Sequence, residues 1–195
     1  DWDQDLLEAT ADGLKEKLPP CAPSSSKSGS ISPYFVKKYG FSPLCETIIW
    51  SGDNPCSLIG MGAASPGKVV ISLGTSDTLF AAMPEPKTDP NGFGHVFGNP
   101  AGGYMSLICF KNGSLAREAI KKQYSLGWEA FEIRALSETP IGNNGAMMLP
   151  FYEPEITPAI DTGGPVFSEE HEYLPAENTP GLFESQFLNM RAHSE

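Results

Sequence analysis

The chain has 195 residues, 40% of them hydrophobic, a composition that can bury a substantial core in one or two domains. Its formal net charge is −11 and its 13 Lys and Arg residues form no basic run, which argues against partners such as nucleic acid or anionic lipid. There is no apolar stretch of membrane-spanning length and no signal-peptide pattern, so we expect a soluble protein.

The first part of the chain contains local residue patterns that predict individual helices, a strand and a loop. Patterns of residue type predict an amphipathic helix from the start, a loop at 19–32, a helix at 33–38, a buried strand at 46–50 and a short helix at 54–62. Ser32-Pro33 is a helix-initiating pair, and Gly40 is placed to end that helix. The strand is predicted from its β-branched and apolar residues, and Pro55 suits the first turn of the helix that follows.

The second part mixes strands and helices. We expect strands at 68–73, 78–83, 104–110 and 146–151, helices at 114–124 and 127–136, and a mostly irregular stretch at 152–180. Thr179 and Pro180 are then predicted to begin a last helix, whose apolar face runs nearly to Glu195. A chain that opens and closes inside amphipathic helices is expected to be a segment of a longer one. The change of pattern near Pro66 predicts two parts, 1–66 and 67–195.

Asp53 is a candidate for acid–base chemistry. It follows a predicted buried strand, stands between Gly52 and Asn54, and precedes a helix, which is a position at the mouth of an α/β cleft. There it could accept the proton of a substrate hydroxyl while Asn54 holds the substrate. An ordinary helix cap, made by Asp53 or Asn54, explains the same residues.

Gly74-Thr75-Ser76 is a candidate for binding phosphate. It forms the tip of a predicted hairpin and offers backbone N–H groups and two hydroxyls. A simple turn uses the same residue types, so both interpretations stay open. Neither a Walker loop nor a Rossmann glycine motif is present.

Metal and thiol chemistry receive less support from the sequence. His95, His171 and His193 lie far apart, so no His-based metal site is expected. The chain has four cysteines, which are Cys21, Cys45, Cys56 and Cys109. They form no C-x-x-C pair, so we expect reduced thiols and a cytoplasmic location. Asn112-Gly113-Ser114 matches the glycosylation triplet, which we interpret as coincidence.

The series from Ser51 to Asp77 is more specific than its parts, and it resembles the FGGY family of carbohydrate kinases. The shared features are Gly52-Asp53-Asn54 followed at this distance by Ser72-Leu73-Gly74-Thr75-Ser76. Further stretches resemble the eukaryotic branch of that family that phosphorylates D-xylulose. They are ISPYFVKKYGFS, GDNPCSL, ISLGTSDTLF, GHVFGNP, ICFKNGSLAR and FLNMRAH.

The resemblance implies a fold and an activity. The fold would be α/β and ribonuclease H-like, as in actin and hexokinase, with the end of a sugar-binding domain at 1–66 and the start of a nucleotide-binding domain at 67–195. The activity would be transfer of the γ-phosphate of ATP, with Mg²⁺, to D-xylulose. Two alternatives remain. The phosphate acceptor could be another pentulose or a polyol, or the chain could be a noncatalytic binding module of the same fold.

The resemblance also implies site residues. Asp53 would be the catalytic base and would bind the sugar together with Asn54. The nucleotide site would contain Gly74, Thr75, Ser76, Gly113 and Trp128. For Trp128, a role as the core anchor of its helix stays open. The magnesium-binding and adenine-binding segments of the family would lie outside these residues, so the chain by itself is expected to be inactive.

Overall fold

The computed structural model describes residues 2–138, 140–168 and 175–194, and for residues 175 and 176 the backbone alone. The chain divides into two compact units, Asp1–Cys56 and Ser57–Glu195. The sequence predicted a change at residues 66 and 67, and that assignment of domains stays a prediction. No helix in the described part of the chain is long and apolar enough to cross a membrane.

The first unit combines short helices with a two-stranded antiparallel ribbon. Its elements are α1 (Gln4–Thr10), a 3₁₀ turn (Lys15–Lys17), β1 (Lys27–Ser30), α2 (Pro33–Tyr39) and β2 (Glu46–Ile48), and α3 (Asp53–Gly60) begins at its end. The residues that predicted a helix at 33–38 also begin and end α2. The Ser32 side chain accepts from the backbone N–H of Tyr34, and Gly40 ends the helix with φ 74°.

Two predictions for this unit were wrong. The stretch predicted as a loop contains β1, which pairs with β2 through Lys27↔Ile48 and Ser30↔Glu46. The strand predicted as buried ends at Ile48, and Ile48 and Trp50 are 47% and 68% exposed. β-branched composition favours extended backbone, but burial depends on what packs over it, and within the described residues β2 pairs with β1 alone.

The second unit is built on a four-stranded antiparallel sheet of order β3-β4-β6-β5. The strands are β3 (Val69–Leu73), β4 (Asp77–Met83), β5 (Gly94–Gly98) and β6 (Tyr104–Phe110). The hairpin and the strand at 104–110 are as predicted. β5 was not predicted, because its glycine ends and His95 hide the alternation that identifies strands.

The sheet buries apolar side chains on both faces. On one face Val70, Phe80, Met105 and Leu107 pack with Leu58 and Ala63 near the end of α3. On the other face the cluster is Leu79, Ile108, Phe110 and Met190. The register places Phe80 opposite Leu107 and Leu79 opposite Ile108, so the two faces alternate along the strands as the period of two requires. The face that packs against Met190 ties the sheet to the last helix.

The rest of the unit is a helical layer with a small second ribbon. Its elements are α4 (Ser114–Gln123), α5 (Trp128–Leu136), a 3₁₀ turn (Asn143–Gly145), β7 (Met148–Leu149), β8 (Val166–Phe167) and α6 (Pro175–Ala192). β7 pairs with β8. The helices share a core of Ala116, Ile120, Phe131, Met148 and Leu182.

The predicted start of the last helix was wrong. Pro180 lies inside α6, and Thr179 is fully buried within the helix instead of capping it. A Thr-Pro pair is also compatible with a helix that has already begun, at the expense of one backbone hydrogen bond, so the pair alone does not fix the first residue. The predicted strand at 146–151 shortens to the two residues of β7. His171 and Glu195 lie outside the described residues.

Candidate functional site

In the first unit, the backbone turns sharply just before Asp53. Trp50 has φ 76°, a left-handed conformation that bulky residues rarely adopt. The turn is held because the N–H groups of Ile49 and Trp50 donate to the carbonyl oxygens of Ser26 and Ser24, at 3.0 and 2.9 Å. Such strain is common at functional sites, and here it directs the chain from β2 toward Asp53.

Asp53 is the first residue of α3 and its side chain is exposed. Its Oδ1 accepts from the N–H of Asn54 at 2.8 Å. A conventional cap at this residue would use the N–H of Pro55 or Cys56, but Pro55 has none and the N–H of Cys56 donates to the Gly52 carbonyl at 3.1 Å. Asp53 therefore satisfies one N–H of the first helical turn, and its carboxylate remains accessible.

In the second unit, the turn between β3 and β4 is fixed to the start of α4. The carbonyl oxygen of Gly74 accepts from the backbone N–H and the hydroxyl of Ser114, at 2.8 and 2.7 Å. The N–H of Gly74 donates to Oδ1 of Asp77 at 3.2 Å. The structure thus brings Gly74 and Gly113, which the sequence separates widely, to the same place.

A buried ion pair lies beneath this turn. Arg117 of α4 donates through Nη1 to Oδ2 of Asp77 and through Nη2 to Oδ1, at 2.9 and 2.8 Å. Asp77 is 1% exposed and Arg117 is 7% exposed. Gln186 of α6 accepts from Nη1 of Arg117 at 2.9 Å and donates to the carbonyls of Asn112 and Gly113, at 2.6 and 3.0 Å.

A second buried carboxylate supports the same segment from the other side. Glu155 is 6% exposed and accepts from the backbone N–H groups of Lys111, Asn112 and Ile156, at 2.5, 3.0 and 2.7 Å. It also accepts from the side-chain amide of Asn112 at 2.8 Å. The amide of Asn112 is therefore buried and engaged, in agreement with our interpretation of the glycosylation triplet as coincidence.

Sequence reasoning did not find Asp77, Arg117, Gln186 or Glu155 as site residues. One signal was available. Arg117 falls on the buried face of α4 with Ala116 and Ile120, and a charged residue on such a face needs a partner. Nothing in the sequence identifies that partner, because 40 residues separate Asp77 from Arg117.

The tip of the turn is left open to a ligand. Thr75 is exposed and Ser76 is half-buried. Among the described residues, no hydrogen bond uses the backbone N–H groups or the hydroxyls of these two residues. The turn therefore combines a rigid base at Gly74 with unpaired donors at its tip, an arrangement that suits anionic oxygens.

Gly113 has no room for a side chain. A Cβ there would lie 2.7 Å from both the backbone nitrogen and Oδ1 of Asp77, and 2.8 Å from the carbonyl oxygen of Gly74. Two of these three atoms are backbone and cannot rotate away. The close approach of Gly113 to the turn is what lets Ser114 bond to Gly74.

Replacing Gly113 by Ala is expected to lower the free energy of unfolding by about 2–4 kcal/mol, because the turn and α4 must separate and lose buried hydrogen bonds. Gly127→Ala is the matched control, since Gly127 also precedes a helix and a Cβ there meets nothing within 4 Å. Urea unfolding of both variants measures the difference. Equal stability of the two would contradict the steric argument.

Trp128 lies apart from this network, on α5. It is 51% exposed, whereas Phe131 on the same helix is 3% exposed and occupies the core. The two rings meet edge to face with centroids 5.5 Å apart. The Lys121 ammonium lies 4.4 Å from the Trp128 ring centroid. Phe131 is thus the more deeply buried anchor, and much of Trp128 faces solvent.

Metal-binding and redox groups are sparse in the described part of the chain. The described residues contain no group of three or more His, Cys, Asp and Glu side chains that could hold a metal ion. All four cysteines are unpaired thiols. Burial and the nearby carboxylates of Glu155 and Asp77 raise the pKa of Cys109 above its ordinary value, so this thiol is a poor nucleophile near neutral pH.

Comparison with known proteins gives similarity to xylulose kinases over the whole chain. No protein-family model matches the chain. The xylulose kinase of Rattus norvegicus is 45% identical over 203 residues, covering 100% of this chain and 37% of the rat protein. Xylulose kinase 2 of Arabidopsis thaliana is 40% identical over 212 residues, covering 100% of this chain and 38% of the plant protein. The chain therefore spans less than two fifths of the length of these relatives.

The fold agrees with these similarities. A crystal structure of ligand-bound xylulose kinase from Lactobacillus acidophilus matches with a TM-score of 0.82 and 23% identity, covering 97% of this chain and 39% of that one. The α/β fold expected from the sequence, that of the FGGY carbohydrate kinases, is thereby confirmed. The chain is similar over its whole length to the xylulose kinases of rat and Arabidopsis thaliana.

Proposed function

We propose that the full-length protein transfers the γ-phosphate of ATP to D-xylulose and produces D-xylulose 5-phosphate. The observation that carries this proposal is the 45% identity with the rat xylulose kinase over the whole of this chain. That similarity includes the residues assigned to both substrates, since it spans Asp53 as well as the Gly74-Thr75-Ser76 turn.

In this proposal Asp53 is the general base. Its carboxylate is exposed and, within the described residues, bonds only to the N–H of Asn54, so it can accept the proton of a sugar hydroxyl. Removing that proton while the hydroxyl attacks the γ-phosphate in line makes the oxygen a better nucleophile. Asn54, which is half-buried at the start of α3, would hold the sugar.

The turn in the second unit is assigned to the phosphates. The unpaired N–H groups and hydroxyls of Thr75 and Ser76 can donate to phosphate oxygens, and Gly74 gives the turn its close approach. Gly113 precedes α4, a ten-residue helix, and the positive end of the helix dipole lies beside the turn and favours an anion there. The exposed ring of Trp128 offers a surface for stacking against the nucleotide base.

Magnesium is assigned no residue in this chain. ATP-dependent kinases use Mg²⁺ to neutralise phosphate charge, but the described residues offer no acidic cluster to hold it. We therefore derive no step through the metal from these residues. A cytoplasmic location, expected from the unpaired thiols, stays a prediction.

The test of this function is a coupled assay of the full-length protein with ATP and D-xylulose, run beside D-ribulose and glycerol. We expect turnover with D-xylulose that exceeds turnover with the other two acceptors. Preference for D-ribulose or glycerol would support kinase activity but contradict D-xylulose as the substrate. No phosphorylation of any acceptor would favour a noncatalytic binding module of the same fold.

Gly74→Ala tests the phosphate turn. A Cβ at Gly74 would lie 3.2 Å from the carbonyl oxygen of Ser76, so the turn must open by a few tenths of an ångström. We expect the KM for ATP to rise about tenfold while the KM for D-xylulose changes little, since only the nucleotide contacts move. Gly98→Ala, where a Cβ meets nothing within 4 Å, is the control. A larger change in the KM for the sugar would refute this assignment.

A further inference from the structure

We propose that Asp77, Arg117 and Gln186 are positioning residues that hold the phosphate turn in the geometry required for ATP. The proposal rests on the proposed function and assigns to the same site three residues that do not themselves touch substrate. Their side chains link the β3–β4 turn, the start of α4 and the last helix α6.

The backbone of Gly74 is held in one orientation. Its N–H is held by Asp77 and its carbonyl oxygen by Ser114, so both backbone hydrogen-bonding groups of this residue are engaged. Arg117 adds a longer contact from Nη2 to the same carbonyl at 3.4 Å. Because the carbonyl of Gly74 and the N–H of Thr75 share one peptide plane, fixing this carbonyl also fixes the direction in which the Thr75 N–H points.

The ion pair between Asp77 and Arg117 has a defined geometry. Two parallel hydrogen bonds join Arg117 to Asp77, which fixes both the distance and the plane of the guanidinium. A buried ion pair often contributes less to stability than apolar residues of the same volume would. What this pair supplies is direction, because apolar side chains in its place could not hold the N–H of Gly74.

Gln186 connects the start of α4 and the ion pair to α6. Its amide nitrogen donates to two successive carbonyls, those of Asn112 and Gly113, and its oxygen accepts from Arg117. The first residues of α4 and the guanidinium are thereby fixed relative to one side chain of α6. A displacement of α6 would move the turn and the start of α4 together.

Loss of the positioning residues is expected to affect the binding of one substrate and not of the other. Phosphate donors must be placed within about 0.5 Å to stabilise the transferring group, so loosening the turn weakens nucleotide contacts. Asp53 and Asn54 belong to the other compact unit and keep their own hydrogen bonds. Loss of the positioning residues should therefore affect ATP and leave the sugar site intact.

The experiment compares two variants of the full-length protein with the wild type. The double variant Asp77→Leu with Arg117→Met removes the pair without leaving a buried charge alone, and it leaves no oxygen at residue 77 that could hold the N–H of Gly74. Gln186→Met removes the link to α6 at similar volume. Leu182→Ala, a fully buried residue of the helical core, is the control for a general loss of stability.

We expect the KM for ATP to rise at least tenfold in the double variant and in Gln186→Met, with the KM for D-xylulose within twofold of the wild type. Leu182→Ala should leave both KM values within twofold while lowering the Tm. Equal changes of the two KM values, or an equal rise of the KM for ATP in Leu182→Ala, would overturn the positioning role.

A second readout does not depend on kinase activity. Hydrogen exchange of the Gly74 N–H, which donates to Asp77, is measured without nucleotide and should be about tenfold faster in the double variant, while exchange in β5 is unchanged. Unaltered exchange at the turn would refute the inference even if the protein is an active kinase. Faster exchange at the turn in a protein that phosphorylates no acceptor would sustain the positioning and refute the proposed function.

Discussion

Replacing Asp53 by Asn in the full-length protein is expected to lower kcat for D-xylulose by about 10² to 10⁴, the usual range for loss of a general base. An amide cannot take the proton of the sugar hydroxyl. Its oxygen can still accept from the N–H of Asn54, the bond that Asp53 makes in α3, so the fold is retained. The KM for D-xylulose should change by less than about threefold.

The chain offers a matched control for this change. Asp3 also lies at the start of a helix, and its Oδ1 accepts from the N–H of Leu6 at 2.9 Å. Asp3→Asn removes a charge from the same kind of position, so it should alter kcat by less than twofold. Near-normal turnover in Asp53→Asn, or an equal loss in both variants, would show that Asp53 is not the base.

The elements that could be predicted are those whose signals are local. The helix α2 carries its own cap in Ser32 and its own stop in Gly40, and the β3–β4 hairpin has two apolar strands around Gly74. Strands β1 and β5 lack such signals, because their residues are mostly small or polar and their extended backbone depends on the strands beside them. Pairing, not residue type, determines those two strands.

The candidate site likewise contains residues that the sequence could predict and residues that it could not. Asp53 and the Gly74-Thr75-Ser76 turn are short motifs, so both could be proposed from the sequence, and their roles stay predictions. The side chains that hold the turn could not be identified. Asp77 meets Arg117 across 40 residues, and Arg117 meets Gln186 across 69. Contacts over such separations follow from the packing of α4 and α6, which no short pattern encodes.

Glu155→Ala is expected to give the largest loss of stability, about 3–5 kcal/mol in the free energy of unfolding. The carboxylate of Glu155 is the acceptor for the backbone N–H groups of Lys111, Asn112 and Ile156. Each buried donor left without an acceptor costs about 1–3 kcal/mol, and water that enters the space left by the side chain recovers part of the sum.

Glu153→Ala is the control for this prediction. Glu153 is exposed, and the described residues use its backbone N–H and carbonyl, but not its carboxylate, to bond Asn112. Its loss should change the free energy of unfolding by less than about 0.5 kcal/mol. Urea unfolding of the full-length protein measures both. Similar midpoints for the two variants would mean that Glu155 is replaceable. A large loss in Glu155→Ala alone would show that this one carboxylate fixes residues 111 and 112, including the Asn112 carbonyl that accepts from Gln186 beside the phosphate turn.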